Sequence, residues 1–271
     1  MKTYLLAAIV AATAGTAATA QDGEAQGPFS VSGSLTLATD YRFRGVSQTD
    51  EAIAVQGGVT LSHESGVYAG TWASNLSGWG TFGGSNTELD LFAGVAVPLG
   101  AVTVDVGLTW YMYPSGADTT DFAEPYVKVS GDLGPASLLV GIAYAPKQEA
   151  LGNWSNTPES RIGAKNDNLY LWGDLASGIP DTPLTLKAHL GYSDGNPGLG
   201  PNGTSVAPTG SYFDWLIGAD LALGPVTVGV AYVDTSISNA DRQYILPGFA
   251  NTRDGSNIGG ATVVGSIGLS F

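Results

Sequence analysis

Along most of this chain apolar and polar residues alternate one for one, and the 3.6-residue spacing of a buried helix face is nearly absent. Between 102 and 113, Val102, Val104, Val106, Leu108, Trp110 and Met112 share one parity, with Asp105 and Tyr111 on the other. Between 86 and 97, Leu89, Leu91, Ala93, Val95 and Val97 oppose Glu88 and Asp90. A period of two is that of extended chain between an apolar and a polar phase. Followed along the sequence it predicts twelve strands, near 30–44, 52–63, 67–77, 86–97, 102–113, 122–132, 136–146, 167–176, 184–193, 212–223, 226–235 and 260–271.

The connections sort by length. Tight ones at 63–66, 98–101, 131–136, 176–183 and 223–226 carry the Gly and Pro that turns require. Longer ones at 45–51, 78–85, 114–121, 147–166, 194–211 and 236–259 alternate with them. Tight turns on one rim and long loops on the other predict an all-β, transmembrane antiparallel β-barrel, with short periplasmic turns and long extracellular loops. Such a barrel turns its apolar face outward, the inverse of a soluble exported β-sandwich, and alternation alone cannot tell the two apart. The aromatic residues can. Tyr41, Phe43, Trp110, Tyr144, Tyr192, Phe213, Trp215 and Tyr232 fall on the apolar parity near the long loops, as a girdle at the lipid headgroups would. Phe271 ends the last alternating strand on the same parity, where it reads as an outer-membrane insertion signal.

Lys2, the apolar run from Leu5 to Ala12 and the small residues Ala18-Thr19-Ala20 predict a secretory leader over 1–20, leaving 21–271 as one barrel domain. The formal charge of −14 argues against nucleic acid and anionic lipid as partners. With no cysteine, disulfides, thiol chemistry and cysteine metal sites are excluded.

Twelve strands predict a narrow lumen, between barrels filled by side chains and wide porins. The inward parity places Asp40, Arg42, Arg44, Glu88, Asp90, Asp105, Glu124, Lys128, Asp174, Lys187, Asp214 and Asp220 there. Because an unpaired charge in a desolvated interior costs several kcal/mol, these charges read equally as a bracing ion-pair network and as a constriction. Their acidic excess predicts a weak preference for cations. Tyr111, Tyr113, Tyr126, Tyr170 and Trp172 read as lumenal too, as aromatic filling or as a stacking strip for solutes. No G-x-S-x-G, H-E-x-x-H or P-loop occurs. His63 falls at a tight turn and His189 in the lumen, so no catalytic site, cofactor or metal centre is expected. The acidic, glycine-rich stretch 194–203 lacks the ligand spacing of a calcium loop and reads as solvent-exposed.

The stretches "LATDYRFRGVSQTDEAIAVQGGVTL", "SGVYAGTWASN" and "TELDLFAGV" resemble the TorF-type putative porins of proteobacterial outer membranes, most strongly over 31–100. The resemblance implies an outer-membrane barrel and a pore, with no established substrate. The expected function is a narrow passive channel for small hydrophilic solutes or ions in a bacterial outer membrane. Its expected partners are membrane lipid, lipopolysaccharide and the barrel insertion machinery. The alternative is a non-conducting barrel that works through its surface loops as adhesin, receptor or envelope brace.

Overall fold

The computed structural model describes residues 27–152, 161, 163–197 and 205–271. The expected leader over 1–20, and most of the acidic stretch 194–203, lie outside the described residues. Twelve antiparallel strands close into a barrel. They are β1 (Phe29–Ala38), β4 (Ala54–His63), β5 (Val67–Asn75), β6 (Thr87–Leu99), β7 (Val102–Met112), β8 (Phe122–Leu133), β9 (Ala136–Gln148), β10 (Asn166–Gly178), β11 (Leu184–Gly195), β12 (Ser211–Leu223), β13 (Val226–Thr235) and β14 (Thr262–Ser270). Two short strands, β2 (Arg42–Phe43) and β3 (Val46–Ser47), lie apart from this sheet.

Closure is made by β1, which pairs with β4 on one side and β14 on the other; Leu35 stands opposite both Gly57 and Leu269. At the seam Gly33 and Phe271 exchange backbone hydrogen bonds of 2.9 and 3.0 Å, and the Phe271 ring lies over Gly33. A closed sheet leaves no unpaired edge, which is what allows strands to stand in hydrocarbon. Strand lengths of 9 to 13 residues suit a tilted crossing of a bilayer.

The parity read from sequence sets the faces. Leu35, Val59, Leu91, Val106, Leu190, Ile217 and Val263 point out and are exposed, while Gln56, Glu88, Asp90, Glu124 and Asp220 point in and are buried. An apolar belt of this extent has no place on a water-soluble monomer, and hydrocarbon is the solvent that fits it. The tight turns use left-handed residues where the chain reverses: Gly100 and Gly134 sit at φ of +68° and +65°, which a β-carbon would disfavour.

The first strand departs from expectation. Alternation predicts extended chain to residue 44, but β1 leaves the sheet after Ala38, and Thr39 makes the last rung by donating its N–H to Gly265 O at 2.9 Å. Residues 40–50 then fold inward. Tyr41 is 2% exposed, and Phe43 packs edge-on against lumenal Tyr111 with ring centroids 5.9 Å apart. Both are therefore corrected from lipid-facing girdle to interior. The reason is local: the Asp40 carboxylate gathers the Arg42 guanidinium and the Ser47 and Thr49 hydroxyls, folding the segment back on itself.

The long loops are not simply solvated. Val46, Trp79, Ala207, Tyr212, Ile237, Ile245, Phe249 and Ile258 form a second apolar cluster that joins four of them above the barrel mouth.

Candidate functional site: a lumen crossed by a hairpin

The inturned segment is a hairpin. Arg42 pairs with Ser47 and Phe43 with Val46, and Arg44-Gly45 form the two-residue turn, both at positive φ (48° and 78°). That is the primed turn which matches the twist of tight hairpins. Gly45 is also required by space, because Thr235 and Asp214 fill the position of a β-carbon.

The turn carries Arg44 across the lumen. In the strand order β9 stands diametrically opposite β1, and Arg44 reaches the two strands that flank it. Its Nη2 donates to both oxygens of Glu124 on β8, at 2.6 and 2.7 Å. Its guanidinium lies 4.2 Å from the ring centroid of Tyr170 on β10 and 4.8 Å from that of Phe43. Tyr111 adds a hydrogen bond of 3.3 Å to Glu124.

The base of the hairpin is tied from above. Arg42 donates to Asp40 Oδ2 (2.5 Å), Glu51 Oε1 (3.1 Å), and the carbonyls of Gly45, Ile258 and Gly260. Asn251, Thr252 and Arg253, from the last long loop, donate to Asp50 and Glu51. Asp40 and Arg42, expected on the lumen wall, belong to this knot at the mouth. Burial pushes the Asp40 carboxyl up from its ordinary range, opposed by the Arg42 guanidinium and the Ser47 and Thr49 hydroxyls.

The other lumenal charges are largely paired. Lys128 meets Asp105 at 2.8 Å, and Lys187 meets Asp220 at 2.7 Å. His189 bridges Asp174 (2.6 Å, from Nδ1) and Asp214 (3.1 Å, from Nε2), with the Tyr170 hydroxyl 2.9 Å from Nε2. Glu88 accepts a hydrogen bond from the Tyr41 hydroxyl, at 2.9 Å. Asp90, 1% exposed, has no hydrogen-bond partner on either oxygen among the described residues. Ion pairs thus cross-link the lumen, and among the described residues no cation pairs with the two carboxyls of β6.

Inward glycines decide how much space remains. Phe92 lies over Gly70, Tyr126 over Gly107, Trp172 over Gly141 and Tyr170 over Gly191, each ring occupying the place of a β-carbon on the next strand. Rings laid flat against the wall leave a cavity of about 80 Å³ below the Arg44 turn. Phe43, Arg44, Tyr111, Glu124, Tyr126, Lys128, Tyr170, Trp172, Asp174 and His189 are among the residues that line it.

Of the expected site residues, Arg44, Glu124 and Lys128 meet at this cavity. Asp105 and Asp214 stand behind it, paired to its lining; Glu88 and Asp90 lie on β6, and Asp220 is held by Lys187. Tyr170, Asp174 and His189 complete the site but carry no motif; only their inward parity pointed to them. The Asp50–Thr252 latch has no signature in sequence at all.

On the outer face Trp110, Tyr144, Phe213 and Tyr232 are exposed, and Tyr192 and Trp215 half-exposed, with the rings of Tyr192 and Phe213 at 4.9 Å.

Among solved structures the chain is similar to the KdgM porin, with a TM-score of 0.53 and 9% identity, over 89% of this chain and 99% of that one. It also matches an anion-selective porin from Comamonas acidovorans at a TM-score of 0.42 and 11% identity, over 90% and 99%. At these identities the likeness to the KdgM porin concerns the fold. No curated protein matches the chain in sequence. Residues 22–271 match the model of the Gcw_chp family, described as a bacterial protein of unknown function, and the chain belongs to that family.

Proposed function

We propose that the protein is an outer-membrane channel for small hydrophilic solutes or ions, acting by passive diffusion past the Arg44 turn, as its resemblance to TorF-type putative porins implies. The observation that carries this reading is the cavity beneath the turn, kept open by rings pressed onto inward glycines. A barrel built only as a brace has no need of those glycines, because larger inward side chains would fill it. The excess of inward carboxylates over cations supports a weak preference for cations. In this reading the outer belt meets lipid, the long loops face lipopolysaccharide, and Phe271 serves the insertion machinery.

A second reading has its own support. The hairpin reaches the far wall and is latched from above, which suits a non-conducting barrel that works through its fused loops. Refolded protein in a planar bilayer under a KCl gradient separates the two. Discrete small steps whose reversal potential favours K⁺ are expected. Silence from protein proven to be folded would give the second reading precedence.

A further inference from the structure

The cavity below the hairpin has two orphaned polar atoms of opposite character on its lining residues. Arg44 spends Nη2 on Glu124, and its buried Nη1 has no partner among the described residues. Asp174 spends Oδ1 on His189, and its buried Oδ2 is likewise unpartnered. Both side chains line the same space. A buried donor on a cation and a buried acceptor on a carboxylate each forfeit a charge-assisted bond while nothing occupies the site, and one molecule carrying both complements restores both. The same cavity is lined by the stacked pair Tyr170 and Trp172, with centroids 5.4 Å apart and planes inclined by 19°. Such a surface accepts methylene groups and the ammonium end of a ligand without competing for its hydrogen bonds.

We propose that this cavity is a binding site for a small zwitterion of the α-amino-acid type, its carboxylate toward Arg44 and its ammonium toward Asp174. A simple anion would satisfy Arg44 but meet Glu124 and Asp174 uncompensated. A simple cation would satisfy Asp174 but meet Arg44 and His189. A zwitterion has neither fault, and the modest volume restricts it to a few heavy atoms. The proposal deepens the channel reading and rests on it for the route by which the ligand enters.

Refolded protein in detergent, its folded state verified by heat-modifiable electrophoretic mobility, would be titrated with glycine, acetate and methylammonium while tryptophan fluorescence is followed. Glycine is expected to give a saturable change that Trp172→Phe removes, with acetate and methylammonium weaker by about ten-fold, the worth of one charge-assisted bond. Asp174→Asn should weaken glycine by about the same factor and strengthen acetate, which no longer meets that carboxylate. Because the comparison among ligands uses the unaltered protein, it stands even where a variant fails to fold. Equal responses to the three ligands, or none from folded protein, would overturn the site. Glycine binding without conductance would retain the site and retire the channel; conductance without binding would retain the channel and retire the site.

Discussion

Arg44 shows how much one residue can organise. A left-handed arginine is a costly choice for a turn, and the contacts it makes across the lumen are what hold it there. Its partner Glu124 is 80 positions away in sequence, buried, and bonded also by Tyr111. Removing one side of such a pair leaves a bare charge in a dry place. Arg44→Met is expected to cost about 3–5 kcal/mol, and adding Glu124→Leu should recover most of it. Urea midpoints in lipid vesicles would show this as a large shift in the single variant that shrinks in the double one. Two singles whose effects merely add would mean that the residues do not act as a pair. Both are buried, on the parity that alternation assigns to the inside. Parity could not say that Arg44 arrives on a hairpin and not on a strand, because the alternation from Thr39 to Arg44 is the same in either case.

At the scale of elements, the strands follow from pattern and the fit between them follows from glycines. Trp172 on β10 lies where Gly141 on β9 has no side chain. A methyl group there must displace the indole toward the lumen. Gly141→Ala is expected to destabilise by about 1–3 kcal/mol through overpacking and to lower single-channel conductance. Gly178→Ala, where a β-carbon meets open space, serves as the control and should change neither. Thermal unfolding and conductance of the two variants, measured side by side, would decide. The loops were the least legible elements. Sequence marked them as long, and 194–203 as solvent-exposed, yet Ile245, Phe249 and Ile258 bury their side chains against Trp79 and Val46 from other loops. Nothing periodic announces such a cluster, since its members meet only after the barrel has brought the loop ends together.

For the molecule as a whole the decisive feature is an apolar exterior around a charged interior. Ile217, midway along β12 and 67% exposed, samples that exterior. Placed in a bilayer, Ile217→Arg should cost about 2–4 kcal/mol; in a water-soluble protein an exposed arginine would cost almost nothing. Unfolding of the variant in vesicles gives the answer, and a neutral result would remove the membrane from the account. The strand count, the faces of the barrel strands and the sorting of tight turns from long loops are legible in the residues alone. These are consequences of a two-residue period and of turn chemistry, which each segment carries locally. That residues 40–50 fold inward, that Tyr41 and Phe43 belong to the interior, and which carboxylate each cation finds emerge in the folded barrel alone. Those outcomes depend on closure of the sheet, which sets β8 and β10 opposite β1 and brings Asp50 to Thr252 across 202 positions of chain.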